Sequence, residues 1–271
     1  MKTYRSWLIK MGEVIAIHSF KGGSGKTVVA SNLALMLADR GKKVALLDFD
    51  FKAPSLFTVF HPKRDFRYWL NDWSLGGCSI HEALVDISEQ YNLSEKHLQL
   101  GFADPRGESI KKSLQEQLTP EAQASFYQQV VEDLGTLLKG GVDYVLLDTS
   151  PGFSYASLTA ILSCEKLLLV TRTDELDLDG TMELIKSVYD AVLKKKVLLI
   201  VNHAPPQILL NPGEGEKLRD EIVNKLNLRI TALIPCYCDL VASRGRSLVV
   251  QENPEHGFSK NISIIADRLL H

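Results

Sequence analysis

The stretch FKGGSGKT, Phe20 to Thr27, packs three glycines and two lysines into eight residues. A phosphate-binding loop of the usual spelling, G-x-x-x-x-G-K-[ST], has a glycine six positions before its lysine. Counted back from Lys26, that position is Phe20, and the next residue is a second lysine, Lys21. What surrounds the loop nevertheless suits a phosphate cradle. Upstream, VIAIHS (14–19) is a β-branched run that predicts a buried strand. Downstream, residues 27–40 carry apolar side chains at helical spacing, with Gly41 as a natural stop. Gly22, Gly23 and Gly25 let the backbone curl and turn its amides inward, and the helix aims its positive end at the same point. Lys26 offers a full charge for the β- and γ-phosphates, and Thr27 a hydroxyl for Mg²⁺. A turn that merely caps a helix does not need Lys-Thr here. The candidate cradle is therefore Gly22, Gly23, Ser24, Gly25, Lys26, Thr27 and Val28.

Further along the chain the pattern repeats. KVALLDF (43–49), HLQLGFA (97–103), VDYVLLD (142–148), KLLLVTR (166–172), KVLLIVN (196–202) and RITALIP (229–235) are strand candidates. Helical spacings at 177–193 and 216–227 separate the later ones. Nearly continuous apolar strands are what a parallel sheet needs when helices cover both faces. The expected fold is α/β: a doubly wound, mostly parallel sheet of about seven strands with helices on both faces, as one domain over 1–271. Residues 1–12 form an N-terminal arm in this reading, and 60–130 an irregular helical excursion. In that excursion Phe66, Tyr68, Trp69 and Trp73 are expected to pack a local subcore.

The chain has 271 residues, 45% of them hydrophobic, and 31 basic against 33 acidic side chains. A net charge of −2 argues against a surface built throughout for nucleic acid. Four cysteines make no secreted disulfide framework, and no apolar stretch reaches membrane-spanning length. The first residues are too polar for a signal peptide, so a cytoplasmic protein is expected.

Two acidic signals sit at strand ends beside the loop. LLDFDFKAPS closes one strand with Asp48 and Asp50, and YVLLDTSPG closes another with Asp148. Mg²⁺ keeps several waters and needs only one or two carboxylates besides phosphate oxygens. Asp148 suits the outer shell of that ion, and Asp50 suits orienting or deprotonating a water. Thr27, Asp50 and Asp148 stand as the metal-site candidates, with Asp48 as the alternative to Asp50 at magnesium, so the division of work between Asp48 and Asp50 stays open.

At these residues the sequence resembles a family. KGGSGKT (21–27) is similar to the deviant Walker A loop, K-G-G-x-G-K-[ST], of the MinD/ParA ATPases. LLDFDFKAPSL (46–56) resembles that family's first switch and DTSPG (148–152) its second. LLIVNHAPP (198–206) and ITALIPCY (230–237) resemble its base-contacting strand ends, so the likeness covers nearly the whole chain. The resemblance implies a P-loop fold, ATP and Mg²⁺ as cofactors, and a homodimer formed on ATP binding. It implies that Lys21 reaches the partner subunit's phosphates, with Lys26 on the chain's own. It places Asp50 at the hydrolytic water, Thr27 and Asp148 around Mg²⁺, and Asn202 and Pro235 beside the adenine.

Which macromolecule such a switch serves is weakly written. An unidentified protein partner is expected. The C-terminal GFSKNISIIADRLLH (257–271) has the spacing of an interfacial membrane helix but few basic residues, so it reads as the domain's closing helix. Arg244 and Arg246 are a small basic patch, which makes DNA partition the lesser reading. Cys236 and Cys238, two apart, keep a metal-cofactor maturation factor as a third.

Overall fold

The computed structural model describes residues 12–116, 119–188, 196–242 and 248–271. The N-terminal arm, apart from Gly12, and the Arg244/Arg246 patch lie outside the described residues. Eight strands form one sheet: β1 Glu13–His18, β2 Val44–Phe49, β3 Leu84–Asp86, β4 Leu98–Gly101, β5 Tyr144–Thr149, β6 Lys166–Thr171, β7 Lys196–Ala204 and β8 Ile230–Pro235. Their order is β3-β4-β2-β5-β1-β6-β7-β8, and every neighbouring pair is parallel except β3 with β4. The expected seven strands become eight because of β3. Three residues following a short helix leave no room for either an apolar run or an alternation to reveal themselves.

The described helices are α1 Lys26–Asp39, α2 Leu56–Phe60, α3 Leu70–Ser74, α4 Ile80–Ala83, α5 Gly107–Glu116, α6 Pro120–Lys139, α7 Tyr155–Ser163, α8 Glu175–Ser187, α9 Pro212–Leu226, α10 Cys238–Ala242, α11 Val249–Glu252 and α12 Gly257–Leu270. Alternate strand residues feed the two faces. Ile15, Ile17, Leu46 and Leu146 pack with α1 and α12 on one side. Val14, Ala16, Leu47 and Leu147 pack with α6 and α7 on the other. Leu169, Leu199 and Leu233 extend that second face under α8 and α9. Such two-sided burial is why these strands read as continuous apolar runs.

Within 60–130 the chain is not purely helical, since β3 and β4 sit among α2 to α6. The expected single subcore of aromatics is instead divided: Phe66 and Trp69 join the core on the α1 face, Trp73 joins the opposite face, and the Tyr68 ring faces the Arg67 guanidinium at 4.9 Å. Trp73 is fully buried, donates its indole N–H to Asp133 at 2.6 Å, and stacks near Phe49 and Phe126. Phe66 and Trp69 pack with Phe57. The closing-helix reading holds: Phe258, Ile262, Ile265, Ala266 and Leu269 of α12 are buried against the α1 side. Arg40, the C-cap of α1, reaches Asp267 at 2.8 Å. No helix among the described residues is long and apolar enough to cross a membrane.

The topology also places the site. From β1 the chain first builds β2, β3 and β4 on one side, returns to β5 beside β1, and then crosses to the other side for β6, β7 and β8. The carboxyl ends of β1, β5 and β6 therefore border the switch point, where open α/β sheets bind their ligands.

Candidate functional site

The loop after β1 has the strand-loop-helix form that its glycines require. Gly23 and Gly25 adopt φ of +75° and +85°, the left-handed region that side chains avoid. Gly25 precedes α1, and its carbonyl accepts the amide of Val29 at 2.9 Å. A Cβ on Gly25 would also lie 2.3 Å from Asn202 Nδ2, so both conformation and space demand glycine. The Ser19 hydroxyl donates to the Lys21 carbonyl at 2.7 Å and tightens the entrance. Gly22 lies beside Pro151, and Val28 packs partly buried against the α1 core.

The two lysines of the loop stand in different surroundings. Lys26 is buried, only 7% exposed, at the first turn of α1. The Lys21 side chain is 31% exposed at the rim, with its ammonium 3.8 Å from Asp174. Asp174 caps the N-terminus of α8 and also meets Arg172 at 3.1 Å.

Thr27 and Asp148 come together. The Thr27 hydroxyl donates to Asp148 Oδ2 at 2.7 Å, while Asp148 Oδ1 is buried without a protein partner. Burial pushes the Asp148 carboxyl up to about 6; the Thr27 hydrogen bond and then Lys26 pull it down, while Asp50 adds to the rise. A buried carboxylate oxygen with nothing to accept from is costly, and a hard cation at this point would satisfy it. Ser24 Oγ is likewise buried and unpartnered within the loop. The residues present thus fit a magnesium phosphate ligand.

Asp48 and Asp50 are separated by geometry. Asp48 is fully buried, and its Oδ2 accepts the amides of Ser55 at 3.0 Å and Leu56 at 3.1 Å. That makes it the anchor for the start of α2. Burial pushes its carboxyl well above the ordinary range, with Asp148 adding to the rise and the two amides opposing it. Asp50 is only partly buried, and its Oδ1 accepts the amides of Lys52 at 3.3 Å and Ala53 at 3.0 Å.

Asn202 lies two residues before the end of β7, and Pro235 ends β8. The Asn202 Nδ2 donates to the Ser24 carbonyl at 2.9 Å, pinning the phosphate loop from 178 residues away. His203, next to it, holds a positive φ of 55°. Cys236 is half-buried and Cys238 exposed, both as free thiols. Among the described residues no group of three or more His, Cys, Asp or Glu could hold a metal ion.

Sequence reasoning passed over His18 and Thr149. His18 is fully buried, and its Nδ1 lies 2.7 Å from Thr149 Oγ1. The Thr149 hydroxyl hydrogen goes to the Ile17 carbonyl at 2.9 Å, so the imidazole bond is donated by Nδ1–H. This pair ties the strand that feeds the phosphate loop to the strand that carries Asp148. A histidine closing an apolar strand was the only signal available.

A family profile described as an AAA domain matches residues 12–200, more than half of the chain. The chain belongs to the MinD/ParA family of P-loop ATPases. Thermotoga maritima MinD, a septum site-determining protein, is 28% identical over 264 residues, covering 96% of this chain and 88% of that protein. Among solved structures, Pyrococcus horikoshii MinD complexed with Mg-ADP superposes with a TM-score of 0.71 at 24% identity, covering 96% of each chain. The MinC:MinD cell division complex of Aquifex aeolicus is similar at a TM-score of 0.71, 24% identity and the same coverage. These two likenesses speak for the fold, and for a MinD/ParA member it is the expected one.

Proposed function

We propose that this single-domain chain is a Mg²⁺-dependent ATP-binding and ATP-hydrolysing switch that dimerises with ATP and thereby positions or regulates a macromolecular partner. The observation that carries the reading is the division between the two loop lysines. One is buried under the cradle, and the other stands at its rim with its charge only loosely held. A second like charge on a small loop is unfavourable in the empty site and is relieved by a triphosphate. A rim lysine adds most if it serves phosphates from outside its own cradle, which calls for a second subunit.

In this reading Gly22, Gly23, Ser24, Gly25 and Val28 shape the cradle, and Lys26 neutralises the chain's own phosphates. Thr27 and Asp148 would hold Mg²⁺, with Asp50 as a further candidate for the ion. The ion supplies charge against phosphate oxygens when bound. Asp50, more exposed than Asp48 and not committed to α2, orients the attacking water. Asn202 and Pro235 border the base, and Asn202 also keeps the loop closed. Loss of the γ-phosphate then frees the segments after β2 and β5.

The Pyrococcus horikoshii protein with Mg-ADP supports the ligand, and the Aquifex aeolicus complex supports a protein as the partner. A cytoplasmic setting is part of this reading. A membrane surface is disfavoured because the apolar face of α12 is occupied by α1. Asp50→Ala tests the enzymatic part. Steady-state ATP hydrolysis should fall about 100-fold or more while ATP affinity changes little. Undiminished turnover in that variant would remove Asp50 from the reaction.

A further inference from the structure

Phe20 stands where an ordinary phosphate loop has its first glycine, and its surroundings give that residue a purpose. The ring packs on α8, among the apolar residues that include Leu178 and Leu184. At Gly180, an ideal Cβ would lie 1.9 Å from Phe20 Cδ1 and 2.0 Å from Cε1. No side chain fits there while the ring stays. Glycine inside a helix is unfavourable relative to alanine, and α8 carries one at the point where the ring needs bare backbone. Phe153, in the segment after Asp148, closes the other side, with ring centroids 6.4 Å apart at 77°. The amide of Gly152 donates to the Ser19 carbonyl at 3.0 Å, joining the same two segments through their backbones.

Phe20 and Lys21 are consecutive, so the ring's seat on α8 restricts where the lysine can stand. The start of that helix then meets the lysine itself. Asp174, its N-cap, lies 3.8 Å from the Lys21 ammonium and is held from behind by Arg172. A partly exposed pair at that distance is weak on its own. Packing of the ring therefore contributes most of the placement, and the ion pair adds direction.

We propose that Gly180 is a positioning residue for Lys21: the bare backbone of α8 receives the Phe20 ring, and that seat sets the rim lysine toward a second subunit. The inference rests on the reading of Lys21 given above. It extends that reading by naming what places the lysine.

Four variants test it: Gly180→Ala, Phe20→Ala, the double variant Gly180→Ala with Phe20→Leu, and Lys21→Ala as control. ATP binding is measured on dilute protein, and ATP-dependent dimerisation by sedimentation. Gly180→Ala should weaken dimerisation about tenfold or more while ATP affinity stays within about threefold. The double variant, with a smaller side chain under the new methyl, should recover most of the loss. If Gly180→Ala does not accumulate as folded protein, Phe20→Ala, which removes the ring and leaves the glycine, should show the same selective loss. Wild-type dimerisation in Gly180→Ala or Phe20→Ala, beside a defective Lys21→Ala, overturns the inference alone. Equal losses of ATP binding and dimerisation overturn it too, because they report general damage. If Lys21→Ala dimerises like wild type, the reading of Lys21 falls and the inference falls with it.

Discussion

Acid should destabilise this fold through His18, and by an amount the structure sets. The imidazole is fully buried, its Nδ1–H is committed to Thr149, and Nε2 has no partner. A proton on Nε2 would create a cation inside the core, with the charge of Lys26 nearby. Burial first and Lys26 second hold the pKa down at about 3, against 6.5 for a free imidazole. The unfolded chain therefore takes up a proton below 6.5, whereas the folded chain does not until about 3. The stability due to neutral His18 is complete above 6.5 and is lost progressively as the pH falls. At about 1.4 kcal/mol per pH unit, the loss reaches roughly 2 kcal/mol at pH 5. Asp148 works in the other direction. Its raised pKa of about 6 means that protonation favours the folded state as the pH drops from 6 toward 3.8. The comparison must therefore cancel everything except the imidazole. His18→Asn does so, since its amide can donate to Thr149 Oγ1 but cannot take up a proton. Denaturant unfolding of nucleotide-free protein at pH 7 and pH 5, followed by tryptophan fluorescence, should show wild type losing about 2 kcal/mol more than His18→Asn. Equal losses in the two proteins would refute the argument.

Other perturbations have definite outcomes. Gly25→Ala forces a side chain into a φ of +85° and against Asn202, so nucleotide affinity measured by calorimetry should drop about tenfold or more, with about 1–2 kcal/mol of stability lost. Asp48→Ala strips the acceptor from the Ser55 and Leu56 amides and should cost about 1–3 kcal/mol in chemical denaturation. Trp73→Ala removes a fully buried indole and should cost about 3–5 kcal/mol in the same assay. Asp148→Ala should abolish the contribution of Mg²⁺ to ATP affinity while leaving metal-free nucleotide binding in place, as read by titration with and without the ion.

Much of the architecture was legible because two-sided burial writes itself as unbroken apolar runs. β1, β2, β5 and β6 could be read almost to the residue, and α1 was framed by its loop and Gly41. β3 was not, being three residues long and paired antiparallel at the sheet's edge. The excursion reads as irregular in the sequence because its helices α2, α3 and α4 are too short to show a period. At the site, local spacing pointed to the cradle and to the carboxylates at strand ends, and Thr27 does meet Asp148. The partnerships that refine the site join positions far apart in the chain. Asn202 meets Ser24, His18 meets Thr149, and Phe20 fits against Gly180. None leaves a local pattern, because each depends on which strand ends the sheet order brings side by side. The same holds for Asp48 and Asp50: two residues apart they look interchangeable, and only the amides of α2 distinguish them.

The central claim, an ATP-gated pair of subunits using a second lysine, comes down to one sedimentation experiment. Wild type and Lys21→Ala are each run with ADP and with ATP, in an Asp50→Ala background so that ATP persists. The account predicts monomers with ADP for both, a dimer with ATP for the lysine-bearing protein, and a monomer that still binds ATP for Lys21→Ala. A Lys21→Ala protein that dimerises with ATP as fully as its parent would contradict it.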